Sequence, residues 1–137
     1  AMAQDETIEL GYVLWDSGPQ PRVILIGTGS EVHIAVEAGE ILQAQNIPVR
    51  VVSLPSWSLF DSQSEAYRNS VLLPEVRARV SIEAGTPIGW ERYVGPHGKA
   101  IGLSHFGISA PGQEIYRLFG LTPQKMADEA LKLLQEK

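Results

Sequence analysis

One segment constrains the fold of this chain more than any other: an apolar run, a glycine-rich loop, a helical pattern and a second apolar run. Residues 23–26 read Val-Ile-Leu-Ile, which is typical of a strand buried on both faces. The apolar positions that follow recur at helical spacing as far as Gln45, and Asn46 suits the left-handed position after a helix. Residues 49–54 then predict a second strand. This order predicts a parallel pair of strands with a right-handed crossover.

The rest of the chain adds shorter elements around this unit. Residues 11–15 predict a short strand ahead of any crossover helix, so we expect it to be the antiparallel edge strand. Residues 78–83 alternate apolar and polar, which indicates a strand whose second face is partly open or salt-bridged. We expect one helical turn within residues 85–98, a strand at 100–103, and helices at 61–70 (with Asp61 as N-cap), at 111–120 and after Thr122.

These alternating elements predict a three-layer α/β/α sandwich around a mostly parallel five-stranded sheet. A chain of 137 residues is the size of one domain, so residues 1–137 are expected to form a single unit. Ala1 before Met2 reads as a cloning remnant, and residues 1–7 are expected to be a tag remnant or linker.

Composition excludes several classes of site and partner. The chain has no cysteine, which rules out disulfides and thiolate metal sites. Its net charge of −5 argues against nucleic-acid binding, which requires clustered lysine and arginine. No apolar run approaches the roughly 20 residues needed to span a bilayer. We therefore expect a cytoplasmic protein without nucleic-acid or membrane partners.

The loop of residues 27–31, Gly-Thr-Gly-Ser-Glu, is the most chemically suggestive segment. It follows a central strand and precedes a helix, where the backbone N–H groups of Thr28, Gly29 and Ser30 are placed to hold a small anion. A dinucleotide-binding fingerprint would need a third glycine, and residue 32 is Val32. Thr28 and Glu31 also have capping-box spacing, so a capped turn without a ligand is the other interpretation.

The histidines and serines form no recognisable catalytic motif. His33, His97 and His105 lack the spacing of metal ligands, and no Gly-x-Ser-x-Gly elbow occurs. His105 is the best placed for a role, because it precedes Phe106 just after the last predicted strand. A hydrogen-bonded structural histidine is the simpler interpretation of that residue.

Several charged and aromatic residues are candidates for structural or interface roles. Glu83 ends a predicted strand, and Arg92 is near enough in sequence to form an ion pair with it. The aromatic residues Trp57, Trp90 and Tyr93 are candidate packing or interface anchors. We therefore predict no catalytic residue and no metal site, and assign possible structural or interface roles to Glu83, Trp90, Arg92, His105 and Phe106.

Five segments together resemble the last domain of transketolases and occur in the order found there. They are VILIGTGSEV at residues 23–32, VRVVSLPS at 49–56, IEAG at 82–85, GWERYVG at 89–95 and FGISAPG at 106–112. The family often has alanine at the position of Gly27. The chain lacks a Gly-Asp-Gly segment followed by asparagine, which is the metal-diphosphate signature of the first domain of the family.

The resemblance implies membership of a much larger enzyme. Transketolases transfer a two-carbon ketol unit between sugar phosphates in the pentose phosphate pathway, using thiamine diphosphate and usually magnesium. They are homodimers, and their first two domains hold the cofactor and supply the catalytic residues. The resemblance thus implies a non-catalytic assembly domain, inactive alone and without its own cofactor, whose partners are the other two domains and a second subunit. The alternative is a regulatory module that binds a small anion at residues 27–31.

Overall fold

The computed structural model describes residues 11–83, 89–102 and 121–135. The strands of this part of the chain are β1 (Tyr12–Asp16), β2 (Val23–Gly27), β3 (Val49–Ser53), β4 (Arg79–Ile82) and β5 (Lys99–Ile101). Its helices are α1 (Val32–Ala44), α2 (Trp57–Asp61), α3 (Glu65–Val71), α4 (Glu91–Val94) and α5 (Pro123–Gln135), and a 3-10 turn, Gly29–Glu31, precedes α1.

The five strands form one sheet in the order β1-β3-β2-β4-β5. Only the β1–β3 pair is antiparallel, and the other three pairs are parallel. Every residue of β2 is buried, as expected for an apolar strand at the centre of a covered sheet. The predicted mostly parallel sheet with one antiparallel edge strand is confirmed.

Alternation along the strands divides the core into two layers. Val23 and Leu25 of β2 belong to a cluster with the buried faces of α1 and α5. Ile24 and Ile26 belong to a second cluster, which includes Phe60 of α2 and the aromatic residues around α4. Helices therefore cover both faces of the sheet, as the predicted three-layer arrangement requires.

The sequence predicted one helix at residues 61–70, whereas the structure has α3 towards the end of that range and a further short helix, α2, before it. Ser56 precedes α2 and its hydroxyl accepts the Leu59 N–H at 3.3 Å, while Ser64 precedes α3 and caps it in the same way. Asp61 is the last residue of α2, so its prediction as an N-cap is wrong. The serines provide the caps, and the Asp61 carboxylate interacts with α4 instead.

The second face of β4 matches only in part its prediction as partly open or salt-bridged. Ser81 is fully buried, and none of the described residues forms a hydrogen bond with its hydroxyl. The Arg79 side chain is half-buried and donates to backbone carbonyls rather than to a carboxylate. The middle of that face is closed because β4 lies between β2 and β5 and the second core cluster covers it, while Arg79 and Glu83 at its ends stay partly exposed.

Some predictions fall outside the described residues. They are the tag remnant or linker at residues 1–7, the helix at 111–120, and the roles of His105 and Phe106. The predicted helix after Thr122 is confirmed: the Thr122 hydroxyl accepts the Lys125 N–H at 3.1 Å, and the helix runs from Pro123 to Gln135.

Close packing at Gly39 of α1 gives a testable consequence. A Cβ atom there would lie 2.7 Å from Cζ3 of Trp15 and 3.1 Å from Cγ2 of Val51. We expect Gly39→Ala to lower the free energy of unfolding by about 1–2 kcal/mol, because the clash outweighs the better helix propensity of alanine. Urea denaturation measures the effect. The same substitution should cost much less in a Trp15→Val background, and an equal loss in both backgrounds would show that the Trp15 contact is not the cause.

Candidate functional site

An aromatic cluster forms where the parallel strands β3 and β4 end. Trp57 lies four residues after the end of β3, and Trp90 and Tyr93 follow β4 in the chain. Phe60 joins them from α2, and we call these four residues the aromatic cluster. The carboxyl edge of an open parallel sheet is the usual position for functional groups, so this region is the candidate site.

The rings of the aromatic cluster pack edge to face or tilted, as their quadrupoles favour. The centroids of Trp57 and Trp90 are 5.1 Å apart with an interplanar angle of 88°. Tyr93 lies 5.7 Å from Trp90, 5.3 Å from Trp57 and 6.1 Å from Phe60. Trp90 is only 1% exposed and is the central member of the aromatic cluster.

Glu83 supplies the hydrogen-bond partner that a buried indole requires. Its Oε2 atom accepts the Trp90 Nε1–H at 2.6 Å, from a position directly after β4. The sequence suggests an ion pair between Glu83 and Arg92. That prediction is wrong because α4 directs Arg92 towards α2, where it pairs with Asp61.

Asp61 connects α2 to α4 through two partners. Its carboxylate accepts the Tyr93 hydroxyl at 3.0 and 3.2 Å and also pairs with Arg92, whose Cζ lies 5.2 Å from the centre of the Tyr93 ring. Burial, and then the hydrogen bond to Asp61, raise the pKa of Tyr93 to about 12. Tyr93 therefore stays protonated at neutral pH and acts as a hydrogen-bond donor, not as a base.

The loop of residues 27–31 is tighter than the sequence predicted. Gly29 has a φ of +57°, and the Glu31 N–H donates to the Thr28 carbonyl at 3.1 Å. The Thr28 hydroxyl makes no capping bond. The 3-10 turn uses the Glu31 N–H for the backbone carbonyl of Thr28 instead of the side chain. The Thr28 half of the predicted capping box is therefore absent. The anion-binding role of Thr28, Gly29 and Ser30 stays a prediction.

The structure does not bring the remaining sequence candidates together. His33 lies exposed in the first turn of α1, and His97 is exposed between α4 and β5. Among residues 11–83, 89–102 and 121–135, no three His, Asp or Glu side chains are grouped so that they could hold a metal ion. Nor does that part of the chain contain a helix with the length and apolar character to cross a bilayer.

Residues 11–122 match the family described as the Transketolase-like TK C-terminal domain. The chain belongs to this transketolase family. It is 54% identical over 126 residues to the chloroplastic transketolase of Craterostigma plantagineum, covering 90% of this chain and 24% of that protein.

Solved structures give the same result. The transketolase from Leishmania mexicana matches with a TM-score of 0.84 at 36% identity, covering 94% of this chain and 18% of that one. A Pichia stipitis transketolase complex with sedoheptulose-7-phosphate matches with a TM-score of 0.83 at 38% identity, covering 95% and 18%. The chain thus spans about a quarter or less of these relatives. The resemblance seen in the sequence is confirmed.

Gly27, the last residue of β2, lies close to the start of α1. A Cβ atom at Gly27 would lie 2.8 Å from the Val32 Cα and 3.2 Å from the Glu31 carbonyl oxygen. The missing side chain therefore allows the start of α1 to lie directly against the end of β2.

Sequence reasoning found Trp57, Trp90, Tyr93 and Glu83 but not the connecting role of Asp61. The local signal at Asp61 resembled a helix N-cap, since aspartate precedes a helical pattern there. Its true partners are 31 and 32 residues away along the chain, beyond the reach of a local pattern.

Proposed function

We propose that this chain is the C-terminal domain of a transketolase that transfers two-carbon ketol units between sugar phosphates, and that it contributes to assembly rather than to chemistry. The match of residues 11–122 to the family is the observation that carries the proposal. The name of the Craterostigma plantagineum relative supports the activity. The Pichia stipitis transketolase, solved in complex with sedoheptulose-7-phosphate, supports sugar phosphates as substrates.

The rest of the proposal concerns the whole enzyme. Thiamine diphosphate and magnesium would be held by the other two domains, and the complete protein would be a homodimer of the pentose phosphate pathway. Within this chain, Glu83, Trp90 and Arg92 would have structural or interface roles, and no residue would be catalytic. A cytoplasmic location stays a prediction.

The isolated chain provides the first test of the proposal that this domain contributes to assembly and not to chemistry. Supplied with thiamine diphosphate, magnesium, a ketose phosphate donor and an aldose phosphate acceptor, it should be folded by circular dichroism and show no ketol transfer. The complete Craterostigma plantagineum transketolase, assayed in parallel, is the positive control. Turnover by the 137-residue chain above the protein-free rate would overturn the non-catalytic assignment.

The assembly role is assigned to α2 because of one exposed apolar side chain, Leu59. Leu59 is 38% exposed and lies two residues from half-buried Trp57, whose ring packs on Trp90. The exposed Leu59 side chain beside the packed Trp57 ring offers a point of apolar contact to another domain. We therefore assign α2 to contact with a neighbouring transketolase domain.

Substitutions in the multidomain enzyme that carries this domain test the contact. Leu59→Lys should weaken assembly, measured by sedimentation velocity, because it places a charge in an apolar interface. Leu14→Lys is the matched control, since Leu14 is 41% exposed on edge strand β1. Equal sedimentation of both variants and the parent enzyme would remove α2 from the interface.

The alternative role, anion binding at Thr28, Gly29 and Ser30, stays a prediction. The positive φ of Gly29 and its exposure leave that side of the turn accessible. Ser30→Asp should abolish any such binding by repulsion. A phosphate affinity that Ser30→Asp leaves unchanged would remove the loop from consideration.

A further inference from the structure

A second feature is a cleft of about 390 Å³ on the outer side of the aromatic cluster, and its lining includes neither Leu59 nor the loop of residues 27–31. It lies among the end of α2, α3, the start of β4 and α4. Arg68, Arg79 and Arg92 line it from the last three of these elements, together with Asn69 and Asp61. We call it the arginine cleft.

The charge of the arginine cleft is opposite to that of the chain. The chain has a net charge of −5, yet three guanidinium groups and a single carboxylate line this cleft. That carboxylate, Asp61, already pairs with Arg92 and accepts the Tyr93 hydroxyl. A positive cleft with an internally satisfied carboxylate is suited to an anion.

The three arginines differ in how many of their donors are used. Arg79 is committed to the fold, since Nε, Nη1 and Nη2 donate to the carbonyls of Val76, Tyr93 and Leu73. Arg68 uses Nε, which donates to the Gln63 carbonyl at 3.2 Å. No described residue accepts a hydrogen bond from the two terminal nitrogens of Arg68.

Those terminal nitrogens form a planar pair of donors, which matches two oxygens of a tetrahedral oxyanion. Arg92 uses Nη2 for Asp61, and its side chain is 55% exposed at the cleft mouth. Asn69 follows Arg68 on α3 and adds an amide donor with no described partner. The apolar lining from Phe60, Leu72 and Pro74 reduces the dielectric screening of these charges.

We propose that the arginine cleft is a binding site for a phosphate-type oxyanion. Arg68 provides the bidentate contact, Arg92 and Asn69 close the site, and Arg79 contributes a fixed positive charge. The proposed donors lie on α3, β4 and α4, and Leu59, the residue of α2 that carries the assembly role, does not line the cleft although Phe60 and Asp61 of the same helix do.

Inorganic phosphate is the probe that tests the proposal. It is titrated into the ¹⁵N-labelled chain at constant ionic strength, with chloride as the balancing anion, so that screening does not change. We expect saturable binding in the millimolar range, a rise in Tm with phosphate concentration, and amide shifts concentrated at Arg68, Asn69 and Arg92.

Charge-matched variants separate a built site from general electrostatic attraction. Arg68→Gln should weaken phosphate binding at least about tenfold, because it removes the bidentate donor. Arg68→Lys should lie between that variant and the parent, since it keeps the charge but not the fork. Arg22→Gln is the control: it removes the same charge from an exposed side chain that has no hydrogen bond among the described residues.

Two further variants make each result decisive. Arg92→Gln should also weaken binding, and it provides a second test if Arg68→Gln is not folded by circular dichroism. Ser30→Asp should leave binding in the cleft unchanged. The proposal is overturned if phosphate shows no saturable binding, if Arg22→Gln weakens binding as much as the cleft variants, or if Ser30→Asp alone abolishes it.

Discussion

Replacing Trp90 with alanine should lower the free energy of unfolding by about 3–5 kcal/mol. Trp90 is 1% exposed, and its ring lies 5.1 Å from Trp57 and 5.7 Å from Tyr93. Truncation leaves a cavity that these rings cannot fill without breaking their packing on each other. Because a domain is usually stable by only about 5–15 kcal/mol, this loss would remove much of its stability.

Urea denaturation followed by circular dichroism is the measurement, since removing a tryptophan alters the fluorescence of the native state. Trp90→Phe is the matched control that separates volume from polarity. It keeps an aromatic ring but removes the Nε1–H that Glu83 accepts at 2.6 Å, so we expect a loss of about 1–3 kcal/mol. A cost below about 1 kcal/mol for Trp90→Ala would contradict its central position in the core.

The second large effect is expected at Arg79, where one side chain satisfies the backbone of two segments. Its guanidinium donates to the carbonyls of Val76 and Leu73 at 2.9 Å and of Tyr93 at 2.8 Å. Burial lowers the pKa of Arg79 below its ordinary value, while the nearby Glu75 carboxylate acts in the opposite direction. The guanidinium nevertheless remains charged at neutral pH, as arginine does in proteins.

Arg79→Met should therefore lower the free energy of unfolding by about 2–4 kcal/mol, because it leaves those carbonyl oxygens without a donor. Arg77→Met is the matched control, since Arg77 is exposed two residues earlier and no described residue accepts a hydrogen bond from its side chain. That change should be neutral within about 0.5 kcal/mol. Equal urea midpoints for the two variants would show that the carbonyl contacts of Arg79 contribute nothing.

Much of the fold could be predicted because its signals are local. A fully apolar run at Val23–Gly27, an amphipathic helix and a second strand specify a parallel unit without knowledge of distant contacts. The left-handed position at Asn46, with a φ of 62°, and the cap at Thr122 follow from the same short-range rules. The family resemblance adds the identity of the parent enzyme.

The sequence-based predictions failed where a residue had two possible roles. Asp61 resembles an N-cap in sequence, but Ser56 and Ser64 provide the caps, and its carboxylate is used by Tyr93 and Arg92. The polar face of β4 suggested solvent because alternation reports only the character of side chains. Whether a further strand and a layer of helices cover that face depends on the order of strands in the sheet.

The sequence by itself determined the α/β alternation, the position of the edge strand and membership of the transketolase family, since each depends on residues adjacent in the chain or on motifs in fixed order. Only the tertiary structure decided that Glu83 holds Trp90, that Asp61 pairs with Arg92, and that Arg68, Arg79 and Arg92 share one cleft. These partners come from different elements, and the packing of helices on the sheet determines which side chains meet. Hydrogen bonds and ion pairs act over a few ångströms in space, whatever the separation along the chain.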